Sequence, residues 1–315
     1  MDIITSRAVR GELVRAFSVE KPPAWIPGIS NEFTSDQSSE EYALFDSVGP
    51  LREWVGGRNA KGFTDNSITI KNKHFEKTIE YMVKDLRRDK FGVIKAKVGD
   101  LVRRALTHPA SLLSTLILNG ETGLCYDGLY FFDTTHSEGD SGSQSNLLSI
   151  TLSDLPVATD GTSTAPSVAA FQLAIAKGVQ NFLSLKDSAG EPINEDATKF
   201  IVMVPPSFFN VALTACATPI QVAETQTALS ALKQSYTITP VVNTRLSTWT
   251  ASFCMFVEDS YIKSFVFQRE TNYSIKSKAE GSEFEFDNDM HQWGVDYWGN
   301  AAYSMWQKAL KITLA

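Results

Sequence analysis

Residues 124–136 read LCYDGLYFFDTTH. The first nine residues of this stretch are mostly apolar and aromatic, so we predict a strand at 124–132. The residues that follow, 137–145, are rich in Gly, Ser and Asp and indicate a loop. A second strand is predicted at 147–152. The stretch therefore predicts two strands on either side of a polar loop.

The same region contains the best candidate for a chemical site. His136 stands between the carboxylates of Asp133 and Glu138, and Ser141 lies in a Gly-Asp-Ser-Gly sequence at 139–142. A metal site would need three or four converging ligands, and no serine lies in a Gly-x-Ser-x-Gly elbow. We therefore expect no catalytic residue, no metal and no cofactor. A soluble hydrolase that uses Asp133, His136 and Ser141 remains an alternative.

The flanking sequence predicts a mixed α+β chain. Residues 91–119 carry an apolar stripe at helical spacing and should form a helix that Pro109 interrupts. The other predicted elements are helices at 167–186, 207–215 and 299–314, a buried strand at 200–204, and strands at 253–257 and 262–267 that pair around a turn at Asp259 and Ser260.

The first 90 residues predict two projecting elements. Residues 1–50 are expected to be an arm, because prolines around Trp25 exclude a regular helix there and aromatic residues such as Phe33 could anchor it on another surface. Residues 51–90 are expected to be a long hairpin with a basic, glycine-rich tip and strands at 68–71 and 78–81. Neither element has enough apolar residues for a core of its own.

Charge is divided unevenly along the chain. The net charge is −7, yet residues 52–104 carry 14 Lys and Arg against 7 Asp and Glu, so the remainder carries −14. Residues 280–296 contain six carboxylates and no Lys or Arg. Such a split indicates that copies of the chain attract one another, although a contact within one chain or two solvated faces would also produce it. The net basic domain typical of nucleic-acid-binding proteins is not indicated.

Length and composition set broad limits. The 315 residues, 43% of them hydrophobic, suit about two domains. Cys125, Cys216 and Cys254 are widely spaced and are expected to be core residues in a reducing compartment rather than disulfides or zinc ligands. No apolar run approaches the ~18 residues that would cross a bilayer, and Met1–Arg7 lacks the pattern of a secretory signal.

An ordered set of segments resembles the major head subunit of Mu-like phages and prophages. Residues 124–136 resemble a segment of that family with Tyr-Asp-Gly, Phe-Phe-Asp and His, which follows a helix carrying His-Pro. The other matching segments are 72–79, 186–194, 204–206, 265–270, 294–296 and 302–307. The resemblance covers residues 50–310 and depends on the order of these segments, since no single one would suffice.

The resemblance implies the Hong Kong 97-like (HK97-like) phage capsid fold, of the α+β class. Its parts would be an N-terminal arm at 1–50, an extended β-hairpin loop (E-loop) at 51–90, a peripheral domain with a long spine helix at 91–165 and 255–315, and an axial domain at 166–254. The arm, the hairpin and the long helix are also predicted by the residues themselves.

The resemblance also implies a function. Subunits of this fold form hexamers and pentamers that tile an icosahedral head around double-stranded DNA. We therefore expect a self-assembling homo-oligomer of the virion, not an enzyme, that assembles in the host bacterial cytoplasm. Scaffolding and portal proteins are expected partners, DNA would be contacted without sequence specificity, and no membrane partner is expected. An encapsulin-like compartment shell shares the fold and is the first alternative.

We expect the arm and hairpin of one subunit to overlap its neighbours. Aromatic residues would serve as anchors, and basic residues of the hairpin would face carboxylates of residues 280–296. The candidate interface residues are Trp25, Phe33, Trp54, Arg58, Lys61, Phe63, Lys71, Lys73, Glu283, Glu285 and Asp287. Some relatives cross-link a loop lysine to an asparagine of a neighbour, but we do not expect this chemistry at Lys61.

Overall fold

The computed structural model describes residues 6–42, 67–88, 92–157, 161–217 and 235–315. Its α-helices are α1 Ser6–Val19, α2 Ile26–Ile29, α3 Val83–Arg88, α4 Val93–Leu106, α5 His108–Leu118, α6 Val168–Ser184, α7 Phe209–Ala217 and α8 Glu283–Asn288. Its strands are β1 Ser30–Thr34, β2 Ser39–Tyr42, β3 Ile68–Lys71, β4 Lys73–Met82, β5 Leu147–Ile150, β6 Gly161–Thr162, β7 Ala165–Pro166, β8 Lys199–Val204, β9 Thr237–Val242, β10 Ser252–Val257, β11 Phe265–Lys278, β12 Met290–Tyr303 and β13 Ala309–Leu314.

The first main sheet has four strands in the order β1-β11-β12-β4. β1 is parallel to β11, whereas the long strands β11, β12 and β4 are antiparallel neighbours. Helices α1, α3 and α4 pack on one face of this sheet through a cluster that includes Leu13, Leu86, Val98 and Trp293. These helices and one sheet face therefore enclose a core of their own.

Apolar spacing explains why α1 and α4 bury one side each. In α1, Val9, Leu13 and Ala16 repeat at intervals of four and three residues, so they share a face, and all three are buried. In α4, Val98 and Leu101 follow the same rule. The opposite sides of both helices carry charged residues that are exposed.

The second main sheet has five strands in the order β5-β13-β10-β8-β9. β10 is antiparallel to both of its neighbours, while β5 is parallel to β13 and β9 is parallel to β8. β8 and β10 are almost continuously apolar and buried, as expected for strands covered on both faces. Gly178 lets α6 approach this sheet closely, because a Cβ there would lie 2.5 Å from the Met255 sulfur.

A small antiparallel sheet flanks residues 43–66. Ser39 of β2 pairs with Lys71 of β3, and Tyr42 pairs with Ile68. The chain therefore leaves along β2 and returns along β3, which is the arrangement found at the base of a hairpin.

Most predicted elements are confirmed. The helix at 91–119 is present as α4 and α5, which meet at Thr107, so that Pro109 occupies the first turn of α5. The other confirmed elements are the helices at 167–186 and 207–215, present as α6 and α7, and the strands at 68–71, 78–81, 147–152 and 200–204, present as β3, β4, β5 and β8.

The strand predicted at 124–132 is wrong. Leu124 and Tyr130 form only an isolated bridge, because the chain turns at Asp127 and Gly128. Gly128 has a φ of +81°, and the Asp127 carboxylate accepts a hydrogen bond from the N–H of Leu129 at 3.1 Å. The Asp-Gly pair is a turn signal that the surrounding apolar residues concealed.

The strands predicted near 253–257 and 262–267 are present but do not pair with each other. β10 lies between β13 and β8, whereas β11 belongs to the four-stranded sheet. Phe256 and Phe265 pack with ring centroids 5.8 Å apart where the chain passes from one sheet to the other. A strand's partners depend on distant residues, so a local pattern could not identify them.

The helix predicted at 299–314 is also wrong. The chain continues β12 as far as Tyr303 and then forms β13, which pairs with β5 on one side and β10 on the other. Pairing along both edges, together with the β-branched residues Ile312 and Thr313, outweighs the helical tendency of the segment.

The five-stranded sheet combines strands that are far apart in the sequence. β5 and β13 fall within 91–165 and 255–315, the segments expected to form the peripheral domain. Both strands nevertheless pair in the sheet that contains β8 and β9, which fall within 166–254. The five-stranded sheet thus takes strands from three separate parts of the sequence.

Two features of the composition can also be located. All three cysteines are free, and Cys125 and Cys254 are buried, as expected for core residues. None of the helices in the described part of the chain is long and apolar enough to cross a membrane.

Candidate subunit-interaction surfaces

Two aromatic candidates, Trp25 and Phe33, already contact their own chain. Phe33 stacks on Tyr42 with ring centroids 5.2 Å apart, and the Tyr42 hydroxyl donates a hydrogen bond to Gln268 Oε1 at 2.9 Å. Trp25, next to α2, is half-buried against the main core. These contacts fix β1, β2 and the segment around Trp25 to the rest of the chain.

The basic candidates Lys71 and Lys73 lie beside this base. Both side chains are exposed, and neither forms an ion pair with another residue that the structure describes. Lys73 is paired through its backbone with Gly299 of β12, so its position is set by the four-stranded sheet. The remaining hairpin candidates, Trp54, Arg58, Lys61 and Phe63, lie outside the described residues.

The acidic candidates lie on α8, the short helix between β11 and β12. Glu283 and Asp287 are exposed, and Phe286 between them is 90% exposed. Glu285 is already held within the subunit, because Oε2 accepts a hydrogen bond from a backbone N–H of the preceding turn and Oε1 lies 2.9 Å from His291 Nε2. His291 lowers the pKa of the Glu285 carboxyl. Glu283 and Asp287 are thus the carboxylates available to a partner.

The basic and acidic candidates occupy opposite ends of one strand. Lys73 pairs with Gly299 at the start of β4, and Met82 pairs with Met290, two residues after α8, at its end. A ten-residue strand is about 30 Å long. Lys73 therefore cannot contact α8 of its own subunit.

His136 is buried in a polar cluster. Its ring lies face to face with Trp306, with centroids 4.0 Å apart and an interplanar angle of 5°, and Nδ1 lies 2.5 Å from Asp127 Oδ2. Glu138 accepts hydrogen bonds from the Tyr126 hydroxyl at 2.5 Å and from Trp306 Nε1 at 2.8 Å. Burial raises the pKa of the Glu138 carboxyl. The cluster ties the polar loop to Trp306, next to β13.

This geometry does not form a hydrolytic triad. Asp133 accepts hydrogen bonds from the side chain and N–H of Thr135, not from His136. The Ser141 hydroxyl donates to the Gly142 carbonyl and accepts from the N–H of Glu138, so its partners do not include a base that could activate it. Within the described ranges, no group of three or more His, Cys, Asp and Glu side chains could hold a metal ion. The arrangement favours a structural role for His136.

A basic surface was missed at the sequence level. α1, α3 and α4 carry ten Lys and Arg but only three Asp and Glu, a net charge of +7. We call their outward sides the basic helical face. Its cations are Arg7, Arg10, Arg15, Lys84, Arg87, Arg88, Lys95, Lys97, Arg103 and Arg104. The intervals of Val9, Leu13 and Ala16 could have revealed α1, but the prolines that follow α1 favoured an irregular arm.

A sequence model of one protein family matches most of the chain. The family is described as "Mu-like prophage major head subunit gpT", and the match covers residues 6–156 and 222–313. The chain belongs to this family. The resemblance predicted from the ordered segments is therefore confirmed.

Two curated relatives of this Mu-like head-subunit family match in part. The "Mu-like prophage FluMu major head subunit" of Haemophilus influenzae is 30% identical over 134 residues, which are 42% of this chain and 44% of the relative. The "Major capsid protein" of Escherichia phage Mu is 30% identical over 118 residues, which are 38% of this chain and 39% of the relative. The matched stretches thus span less than half of either relative.

Solved capsid structures share the fold of this Mu-like chain. The procapsid of bacteriophage JBD30 gives a TM-score of 0.56 at 19% identity and covers 98% of this chain and 74% of that chain. The mature capsid of bacteriophage PhiM1 gives a TM-score of 0.53 at 11% identity and covers 94% of this chain and 88% of that chain. A virus-like particle from Pyrococcus furiosus gives 0.51 at 11% identity and covers 98% of both chains. The predicted HK97-like α+β fold is therefore confirmed.

Proposed function

We propose that this chain is the major capsid protein of a Mu-like tailed phage, which assembles as hexamers and pentamers into an icosahedral head around double-stranded DNA. The observation that carries the proposal is the family match, which extends over strands of both main sheets. The names of the two relatives, a major head subunit and a major capsid protein, support it.

The parts of the capsid fold follow from the two sheets. We assign the four-stranded sheet to the peripheral domain, with α4 as its spine helix, and the five-stranded sheet with α6 and α7 to the axial domain. β5 and β13 then belong to the axial domain. The antiparallel pair β2–β3 supports an extended loop whose base lies at 39–42 and 68–71.

The hairpin of one subunit would meet α8 of a neighbour. Lys73 and α8 lie at opposite ends of β4, so these charges can neutralise one another only between copies. An exposed ion pair contributes up to ~1 kcal/mol, which is little for a single contact. Repetition of the contact around a shell makes the total large, while each contact stays weak enough for a misplaced subunit to leave.

Negative-stain microscopy of the purified full-length chain tests the proposal. We expect rings of five or six subunits and closed shells of uniform size. Light scattering on the same sample measures the mass in solution. A chain that stays monomeric over the whole concentration range in which related subunits assemble would contradict the proposal.

A shell that encloses protein cargo is a second candidate. The Pyrococcus furiosus virus-like particle shares the fold over 98% of both chains, so the fold is compatible with either kind of shell. The contents of native particles separate the two functions. Packaged double-stranded DNA would support the phage head, whereas a cargo protein in its place would support the compartment.

Other partners follow from the proposed head. We propose that the subunits assemble in the cytoplasm of the host bacterium with scaffolding and portal proteins and remain in the virion. DNA in the head would be contacted without sequence specificity, since the duplex backbone is the same at every position.

A further inference from the structure

The basic helical face is formed by three helices that share one core. α1, α3 and α4 bury Leu13, Leu86 and Leu101 in a single cluster against the four-stranded sheet, so their opposite sides face the same direction. Lys95 of α4 lies 3.8 Å from Glu12 of α1, which joins the outer edges of these two helices. α4 has 14 residues and is about 21 Å long. A surface of this length can follow several phosphates of a duplex, which carries one charge per ~1.7 Å.

Few of the positive charges on this face are neutralised within the subunit. Glu12 pairs with Arg15 and Lys95, Asp100 pairs with Arg104, and Arg87 is close enough to Glu285 to lower the pKa of that carboxyl. Besides Arg87, six exposed cations form no ion pair with any residue in the described ranges: Arg7, Arg10, Lys84, Arg88, Lys97 and Arg103. Like charges that are not compensated repel one another, and a bound polyanion would relieve this repulsion.

The distribution of the cations favours a long polyanion over a small anion. They are spread over three helices instead of converging on one point, and their long side chains end in solvent. Contacts to a phosphate backbone need charge and reach but little fixed geometry. The net charge of −7 does not reveal this surface, because the residues outside α1, α3 and α4 carry −14 and outweigh the +7 of these helices.

We propose that the basic helical face binds the backbone of double-stranded DNA without reading its sequence and that it lines the inside of the shell. The proposal rests on the head function, because a filled head is what brings a duplex against the subunits. The four-stranded sheet would then separate packaged DNA from its uncovered outer face, which carries Glu76, Glu80 and Lys276.

The test compares two variants that each lose four exposed charges. The face variant is R10Q/K84Q/R88Q/R103Q, and the control variant is K177Q/K186Q/K199Q/R245Q, whose changes lie on the side of the five-stranded sheet. Thermal unfolding shows whether both are folded, and the two-site versions R10Q/R103Q and K84Q/R88Q repeat the comparison with fewer changes. Fluorescence anisotropy measures the binding of unassembled subunits to a duplex of about 30 base pairs over a range of NaCl concentrations.

The face variant should bind at least about tenfold more weakly than the unmodified chain and with a shallower dependence on salt, whereas the control variant should not differ. Closed shells should leave duplex added from outside unbound. Equal weakening in both variants, no binding by unmodified subunits, or binding by closed shells would overturn the proposal. A face variant that keeps its affinity for DNA but forms no shells would show that the face contacts another copy. Failure of the head function is seen separately, as the absence of shells from the unmodified chain.

Discussion

Two histidines stack on tryptophans in different surroundings. The ring centroids of His136 and Trp306 lie 4.0 Å apart, and His136 is fully buried. The ring centroids of His74 and Trp298 lie 4.4 Å apart, and the His74 side chain is 41% exposed. The buried ring also contacts the Asp127 carboxylate. The pair offers a matched comparison between the core and the surface.

His136→Ala should lower the free energy of unfolding by about 2–4 kcal/mol, because it removes a buried ring and leaves the Asp127 carboxylate with only the hydrogen bond from the N–H of Leu129. His74→Ala should cost less than about 1 kcal/mol, because water can replace the lost contacts. Urea unfolding of the unassembled subunit measures both values. Equal losses would mean that the buried cluster adds nothing to the stability.

Lys308 is a buried cation held by neutral acceptors. Its Nζ donates hydrogen bonds to the Ile193 carbonyl at 3.0 Å and to Asn194 Oδ1 at 2.7 Å. Burial lowers the pKa of Lys308 to about 8. Below pH 8 the folded and unfolded states both hold the proton, whereas between about pH 8 and 10.5 only the unfolded state does.

The stability contributed by Lys308 should therefore rise with pH above pH 8. Relative to Lys308→Met, the unmodified chain should gain about 1 kcal/mol of unfolding free energy per pH unit between about pH 8 and 9.5. Urea titrations of both proteins at several pH values give this difference, and groups that titrate in both proteins cancel. A difference that stays constant with pH would show that Lys308 keeps an ordinary pKa.

Among the elements, α1 has an unusual position. It lies within the segment expected to be an arm, yet Leu13 is fully buried against α4, while the next residue, Val14, is 57% exposed. The first helix is thus a component of a core and not a free extension.

Leu13→Ala should lower the free energy of unfolding by about 2–4 kcal/mol, since it leaves a cavity between α1 and α4. Val14→Ala, on the exposed side, should change it by less than about 0.5 kcal/mol. Hydrogen exchange of the α1 amides provides a local measurement. The exchange rate should rise in Leu13→Ala but not in Val14→Ala. Unchanged exchange in Leu13→Ala would show that α1 does not depend on this contact.

Local patterns predicted the elements that bury one regular face. α6 could be identified because Phe171, Ile175, Val179 and Phe182 recur at helical spacing, and all of them are buried. The segment 299–314 was misassigned because its strand state depends on β5, β10 and β11, which are distant in sequence. Only the part of the fold that depends on local patterns could therefore be predicted, because the pairing of distant strands is not visible in the sequence.

The same limit applies to the candidate surfaces. The acidic run that contains Glu283 and Asp287 is visible in the sequence, but the contact between Glu285 and His291 depends on how β12 returns along β11. Arg10 and Arg103 are far apart in sequence, and they share a face because α1 packs on α4. Counting charges along the sequence could not show that these residues lie close together in the fold.

At the scale of the whole molecule, charge should control assembly. The variant R58E/K61E, in the segment expected to form the hairpin tip, and separately E283K/D287K on α8, should each prevent shell formation while the subunit stays folded, because like charges would then meet between copies. Combining the four changes should restore shells, at least in part. Negative stain and sedimentation measure assembly, and circular dichroism measures folding.

An acidic control variant, E191K/E195K, changes two exposed carboxylates in the segment between α6 and β8 and should assemble normally. Normal shells from R58E/K61E would contradict the proposed contact. Shells lost equally in E191K/E195K would show that overall charge matters and not the contact with α8.

The place of β13 in its sheet also affects when a newly made subunit can fold. β13 lies between β5 and β10, and its residues 311–314 pair with 147–150. During synthesis, β5 and β10 must therefore wait with unpaired edges until the ribosome has passed residue 314, and such edges readily bind other chains or proteases. A chain interrupted before β13 cannot complete its larger sheet. A truncated chain that lacks β13 should therefore be more sensitive to proteolysis than the full chain, because β5 and β10 would keep unpaired edges.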